Sequence, residues 1–233
     1  MTLALITKSQ QMTVIRSALL TMLPSGVEVV SGLDNRVPEP ISTDFCILTP
    51  LSSQRLELNS TDFIDVYFSG AISDKTLTVS NVYYGTIAIG QRLFGANIPT
   101  GTYIVSGTGP YTISKSLTIT EQPLASGYRV DTIPTANTFQ CDVHGPNSFD
   151  NASIISGMFR SDWACERFDE SGLPIAPLYC SEPRQAAFRN GEQQIEERWT
   201  IDLTIQCNNR IISPQDYFDE ANVTGIVAVD VFY

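Results

Sequence analysis

Residues 174–208 read PIAPLYCSEPRQAAFRNGEQQIEERWTIDLTIQCN. In the second half Ile195, Trp199, Ile201, Leu203, Ile205 and Cys207 take every second position, broken only at Glu197. Glu196, Arg198, Thr200, Asp202, Thr204 and Gln206 lie between them. A period of two with one apolar face is the pattern of a half-buried antiparallel strand. The run predicts a strand of ~12 residues, about twice the usual length and long enough to be the spine of a sheet. The first half, 174–189, holds Pro174, Pro177 and Pro183 and no period, so it reads as an extended loop. A loop of that length in a compact domain is usually functional or held by a partner.

Working outward, Met12, Ile15, Leu19 and Leu23 fall at helical spacing behind Ser9 as cap, and Pro24, Ser25 and Gly26 stop the helix. Val27 to Val30 is a short β-prone run. Gly32 to Pro40, GLDNRVPEP, is an ordered-looking loop, and Asp44 to Pro50, DFCILTP, a buried strand followed by the polar SSQRLELN around Arg55. Phe139, Cys141 and Val143 alternate with Gln140, Asp142 and His144, predicting another strand ended by Pro146. A second helix starts at Asn147 or Ser148 and runs to about Phe168. Ala152, Ile155, Phe159 and Trp163 line one side; Ile154, Met158, Cys165 and Phe168 widen it, and Gly172 stops it. Ser213 and Pro214 suit the start of a short helix, and Val223, Val227, Val229 and Val231 a last strand.

Between Val66 and Thr120 the composition changes. Only Asp74, Lys75, Arg92 and Lys115 are charged, there is no Met or Glu, and Thr, Ser, Gly and Tyr dominate. The segment carries +2 and the remainder −13. TLTVSNV, TYIVSG and PYTISKSLTIT read as short strands separated by glycine turns, and GTIAIG and GTYIVSG echo each other. The expectation is an α+β host, residues 1–65 and 121–233, with a mainly antiparallel sheet and helices on one face. A small all-β module, residues 66–120, is inserted into it. The borders, near Phe63–Val66 and Glu121–Tyr128, carry polar and small residues suited to exposed crossovers.

The chain has 233 residues, 42% of them hydrophobic and 17% charged, enough for a buried core. A net charge of −11 argues against a surface that grips nucleic acid. Eleven Arg stand against three Lys. Arg is enriched and Lys depleted where proteins meet. Cys46, Cys141, Cys165, Cys180 and Cys207 are an odd number without CxxC spacing, which reads as buried thiols in a reducing compartment. The N-terminus does not read as a signal peptide, no apolar run is long enough to span a membrane, and the reading is of a protein made in the cytoplasm.

Chemistry is sparse. His144 is the only His, and Asp142 shares its strand face, but Cys141 alternates to the opposite face and the Cys spacings do not make a metal site. No glycine-rich phosphate loop precedes a helix. No catalytic, metal-binding or cofactor-binding residue is assigned, and no cofactor is expected. Tyr67, Tyr83, Tyr84, Tyr103 and Tyr111 of the β segment could stack on sugars, though small β modules more often use aromatics as core. The strongest candidates lie in loops: Asn35, Arg36, Arg55, Tyr179, Arg184, Gln185, Arg189, Gln193 and Arg198, forked donors and amides suited to an oligomer or partner interface.

The chain resembles bacteriophage neck or tail-terminator proteins. The resembling stretches are DNRVPEP with the strand ending in TP, residues 34–50; SIISGMFRSDWACERF, 153–168; PLYCSEPRQAAFRNGEQQIEERW, 177–199; and the alternating strand after it. They cover most of residues 9–59 and 128–233, and it is their order and spacing that carry the likeness. The segment GTIAIGQRLFGANIPTGTYIVSGTGPYTIS departs from a minimal terminator and looks like a β module recurrent in phage structural proteins. The resemblance implies a structural virion protein of the neck, assembled in the host cytoplasm as a ring, commonly a hexamer. Such a ring caps the tail tube and joins it to the head–tail connector or adaptor, with a sheath or collar protein as a further contact. DNA passes through without specific binding, and no membrane is involved. The alternatives are a glycan- or protein-binding β module and a Cys/carboxylate hydrolase.

Overall fold

The structure, a computed structural model, describes residues 2–32, 40, 42–186, 188–189 and 195–215. In chain order its elements are β1 (Thr2–Ala4), α1 (Lys8–Met22), β2 (Glu28–Ser31), β3 (Phe45–Arg55), β4 (Ser60–Tyr84), β5 (Arg92–Phe94), β6 (Ile104–Ser106) and β7 (Tyr111–His144). After these come α2 (Ser148–Phe159), α3 (Asp162–Asp169), β8 (Ile175–Cys180), β9 (Arg184–Gln185), β10 (Phe188–Arg189), β11 (Ile195–Glu196) and β12 (Arg198–Pro214). The class is α+β, dominated by sheet. The chain divides into two compact units, one of Thr2–Thr61 with Asp131–Ile211, the other centred on Asp62–Val130.

In the first unit the strand order is β1-β12-β7-β3-β2, with β8 and β9 also paired to β12. The pair β2–β3 is parallel; β3–β7, β8–β12 and β9–β12 are antiparallel. Alternation puts Cys46 and Leu48 of β3, Phe139, Cys141 and Val143 of β7, and Ile201, Leu203, Ile205 and Cys207 of β12 on one face. The three helices cover that face with Ile15, Leu19, Ile155, Phe159 and Phe168, and one core results. Phe159 and Phe168 meet edge-on with centroids 5.9 Å apart.

Several sequence expectations shift at element boundaries. The cap of α1 is Thr7, not Ser9: Thr7 Oγ1 accepts from the Gln10 amide and Gln10 Oε1 accepts from the Thr7 amide, a capping box. The second helix is two. Arg160 and Ser161 break it, so α2 and α3 each bury their own face. Residues 175–180 form strand β8 rather than loop, because Ile175 and Cys180 reach the core while the backbone pairs with β12. β12 continues to Pro214, so Ser213 and Pro214 belong to a strand; the remainder of the expected short helix lies outside the described residues. The expected last strand and most of the Gly32–Pro40 loop lie outside the described residues.

The second unit has its own core of Val66, Phe68, Ile72, Leu77, Leu93, Ile104, Ile113 and Leu124. Within it β4 doubles back at Asp74, whose φ of 55° suits a tight turn. The Ser80 hydroxyl donates to Ser69 O at 3.1 Å across the two arms. Strands β4, β5 and β6 all pair with β7. Gln91 is fully buried and satisfied: its Oε1 accepts from the Ala88 amide and the Ser126 hydroxyl, and its Nε2 donates to Thr86 O. The expected crossover at Glu121–Tyr128 is not an irregular border. It lies within β7, which runs unbroken from Tyr111 to His144, and Leu124 and Ser126 are buried there.

Candidate functional site

Exposed side chains of the first unit gather where β8 and β9 pair with β12. Leu203 to Cys207 pair with β8, and Trp199 and Thr200 pair with Gln185 and Arg184 of β9. Arg184 Nη2 donates to Asp202 at 2.8 Å on the same edge. Arg160, at the break between α2 and α3, donates to Glu182 at 2.7 Å and to Cys180 O at 2.8 Å, fixing the turn between β8 and β9. Arg198 Nε donates to Ala186 O at 3.1 Å. Trp199 packs its indole on Phe149, with centroids 4.8 Å apart, and donates to Glu197. Tyr179 and Leu178 of β8 are left exposed.

Tyr179, Arg184, Gln185 and Arg198 are thus gathered along one edge, as members of a sheet rather than of a loop. Arg189 continues the same stretch as part of β10. Arg55 stands apart at the end of β3, bonded to Asn59. Asn35, Arg36 and Gln193 lie outside the described residues. Sequence reasoning missed β8 itself and its exposed Leu178. Pro177 hid the strand, and its two inward residues, Ile175 and Cys180, do not fit a simple alternation.

The opposite face of the same sheet is polar. Asp142 accepts from Thr200 Oγ1 at 2.6 Å and from Gln140 Nε2 at 2.8 Å, and the Thr138 and Thr204 hydroxyls lie 3.2 Å apart. His144 is buried there and stacks on Phe45, centroids 4.7 Å apart and rings nearly parallel. Cys46, Cys141, Cys180 and Cys207 belong to the helix-covered core, so β alternation separates the imidazole from them. All five thiols are free, and Cys165 is the exposed one. The neighbouring Cys46 thiol and burial hold Cys141 well above the ordinary thiol range, and burial pushes Cys207 up to about 11. These are inert, protonated core groups. A cleft of about 450 Å³ between α1 and the end of α3 is lined by Ser9, Gln10, Thr13, Ser17 and the Arg167–Glu170 ion pair.

In the second unit the tyrosines are not core. Tyr67, Tyr83, Tyr84 and Tyr103 are exposed, and only Tyr111 packs against the apolar cluster. The reason is register: inward positions of β4 are taken by Val66, Phe68 and Ile72, which turns Tyr67 outward. The Tyr67 and Tyr83 rings lie 5.3 Å apart, and the Tyr83 hydroxyl is 3.0 Å from Ser69 Oγ. Ser69 and Asn81 hold the Tyr83 phenol below its ordinary range.

The pattern of phage neck terminator proteins matches residues 79–229, about two-thirds of the chain. The chain belongs to the phage neck terminator protein family. It is therefore a structural component of the phage neck, and its working contacts are with other head and tail proteins of the virion. The matched region opens inside β4 and spans residues 79–120 of the segment read as an insertion. No curated protein matches the chain.

Proposed function

We propose that the protein is a ring subunit, commonly one of six, that caps the tail tube and joins it to the head–tail connector around the DNA path. The observation that carries this is membership of the neck terminator family. The edge of β12, with Tyr179, Arg184, Gln185, Arg189 and Arg198, supplies one side of the subunit contact. Arg55, Asn35, Arg36 and Gln193 belong to further contacts with the ring or with tail tube, connector, sheath or collar protein. A closed ring needs two different patches meeting head to tail. The net charge of −11 suits a passage through which DNA slides without being held. The unit centred on Asp62–Val130, with its separate core, is an inserted β module on the outside of the ring. No catalytic role is assigned. Light scattering of the purified protein, with negative-stain images in the presence and absence of tail tubes, tests the reading. Rings seated on tube ends are expected; a protein that stays monomeric with tubes and is missing from virions refutes it.

A second reading is favoured by the outward tyrosines. Aromatic rings held on a sheet beside hydroxyls and a carboxylate, here Ser80 donating to Glu121 at 2.6 Å, suit stacking on sugar rings. A glycan array probed with wild type and Tyr67→Ala/Tyr83→Ala decides it. Binding lost in the variant supports a glycan-binding module; no binding by the wild type removes it.

A further inference from the structure

The outward face of β4 carries more than two tyrosines. Val66, Phe68 and Ile72 point into the core of the second unit, so alternation turns Asp65, Tyr67 and Ser69 the other way. After the turn at Asp74 the returning arm lays Tyr83 beside Tyr67, centroids 5.3 Å apart and rings tilted by 34°. The Tyr83 hydroxyl is 3.0 Å from Ser69 Oγ and is also hydrogen-bonded by the Asn81 side chain. The Ser80 hydroxyl, 3.1 Å from Ser69 O, donates to Glu121 Oε1 at 2.6 Å, which brings a carboxylate of β7 to the same place. The two rings remain 47% and 57% exposed, so about half of each is open to a ligand.

The cluster is built before any ligand arrives. A tyrosine has only two side-chain torsions, and pinning its hydroxyl removes most of the freedom that binding would otherwise cost. An open aromatic face accepts the C–H side of a pyranose, whose hydroxyl rim then needs hydrogen-bond partners beside the ring. Ser69, Asn81 and Glu121 are such partners. Glu121 is exposed, and its Oε2 takes no hydrogen bond from the described residues, so it is open to a sugar hydroxyl. A hydrogen bond to an ionised acceptor is among the stronger ones.

The charges narrow the class of ligand. The polar groups bonded into this cluster are Ser69, Ser80, Asn81 and Glu121, and none is a cation. A sugar acid, sulfate or phosphate would set a second anion against Glu121, on a chain of net charge −11. A dry protein contact would have to bury the Glu121 carboxylate against a cation of its own. An uncharged sugar satisfies the carboxylate with hydroxyls and leaves the site wet.

We propose that this face binds an uncharged pyranose, stacked on Tyr67 and Tyr83 with a hydroxyl donating to Glu121, and that Glu121 makes it reject acidic sugars. The inference rests on the sugar reading of the outward tyrosines and names the ligand class and the residue that selects it.

The test is a multivalent array of matched sugars that differ only in charge: glucose with glucuronate, galactose with galacturonate, N-acetylglucosamine with its 6-sulfate. It is probed at low salt with labelled full-length protein. Binding to a neutral member is expected, with its acidic partner weaker by about tenfold or more. High salt should shrink that ratio, because the repulsion is screened. Glu121→Gln keeps an acceptor but removes the charge; its ratio should fall towards one while circular dichroism stays that of the wild type. Tyr67→Ala should lose the neutral sugar. Equal or tighter binding of the acidic members, or a ratio that Glu121→Gln does not change, overturns the inference and leaves the sugar reading standing. Sugar bound undiminished by Tyr67→Ala overturns the site for both. No sugar bound by the wild type overturns both, and protection of Tyr67 and Tyr83 from iodination in virions would then assign the face to a neighbouring protein.

Discussion

Thiol chemistry separates one cysteine from four. Cys165 is exposed on α3, while Cys46, Cys141, Cys180 and Cys207 sit in the core. A thiol reagent at pH 8 is expected to modify one Cys per folded chain rapidly and all five after denaturation; two or more fast thiols would show that the core is open. Linkage gives a pH signature. With Cys207 raised from 9.0 to about 11, the folded chain holds its proton where the unfolded chain has lost it. The contribution is full below pH 9 and is lost as pH climbs towards about 11. Urea midpoints across that window should fall with pH, and less steeply in Cys207→Ala. In the second unit Gln91 ties Thr86, Ala88 and Ser126 together from a fully buried position. Gln91→Leu leaves those groups without it, at about 1–3 kcal/mol for each that stays dry. Denaturant unfolding should show a loss of at least about 2 kcal/mol; a neutral effect would mean that water replaces the amide.

Elements were legible where one periodicity ran unopposed. The alternation from Trp199 to Cys207 is β12, and its apolar face is the buried one. The spacing of Ile15 and Leu19 is α1. Its start was misplaced because Ser9 and Thr7 are both good caps. What decides between them is the reciprocal pair with Gln10, which needs Thr7 three residues ahead. Thr7→Ala should therefore cost about 1 kcal/mol and Ser9→Ala much less, as thermal melts of the two variants can show. β8 was illegible because a six-residue strand with a proline gives no period, and its pairing depends on β12, far along the chain. The placing of the candidate residues Tyr179, Arg184, Gln185 and Arg198 on paired strands was not legible from composition. Arg184 and Arg198 are fixed to Asp202 and Ala186 by strand pairing that no loop signal encodes. The outward tyrosines were misjudged because residue type suggests a core, whereas the position within β4 decides the face. Gly145 shows a local rule obeyed: at φ 105° a Cβ would meet Thr43 O at 2.2 Å, so the turn from β7 to α2 admits glycine.

At the scale of the molecule Val66, Phe68, Ile72, Leu77, Leu93, Ile104, Ile113 and Leu124 form a cluster of their own, and the change in composition at Val66 and Thr120 does not mark the points at which the chain can be cut. A cut at Thr120 falls within β7 and separates Leu124 and Ser126 from the cluster that buries them. A cut between Thr61 and Asp131 does not. The helix-covered core draws no residue from 62–130, and the Thr61 hydroxyl donates to Asp131 at 2.6 Å, so the two ends already meet. Joining them through a short Gly/Ser linker closes a loop whose entropic cost is small. The expected product is a folded, soluble chain with the β12-centred sheet intact, seen as a cooperative melt and a monodisperse peak, and still able to assemble. Excision of Val66–Thr120 should instead give an aggregating chain, because Leu124, buried in the second core, loses its apolar partners. If the Asp62–Val130 deletion is insoluble while the shorter one folds, the second core is not separable along these strands. If the longer deletion folds but fails to form rings, the β unit belongs to the subunit contact rather than to the outside of the ring.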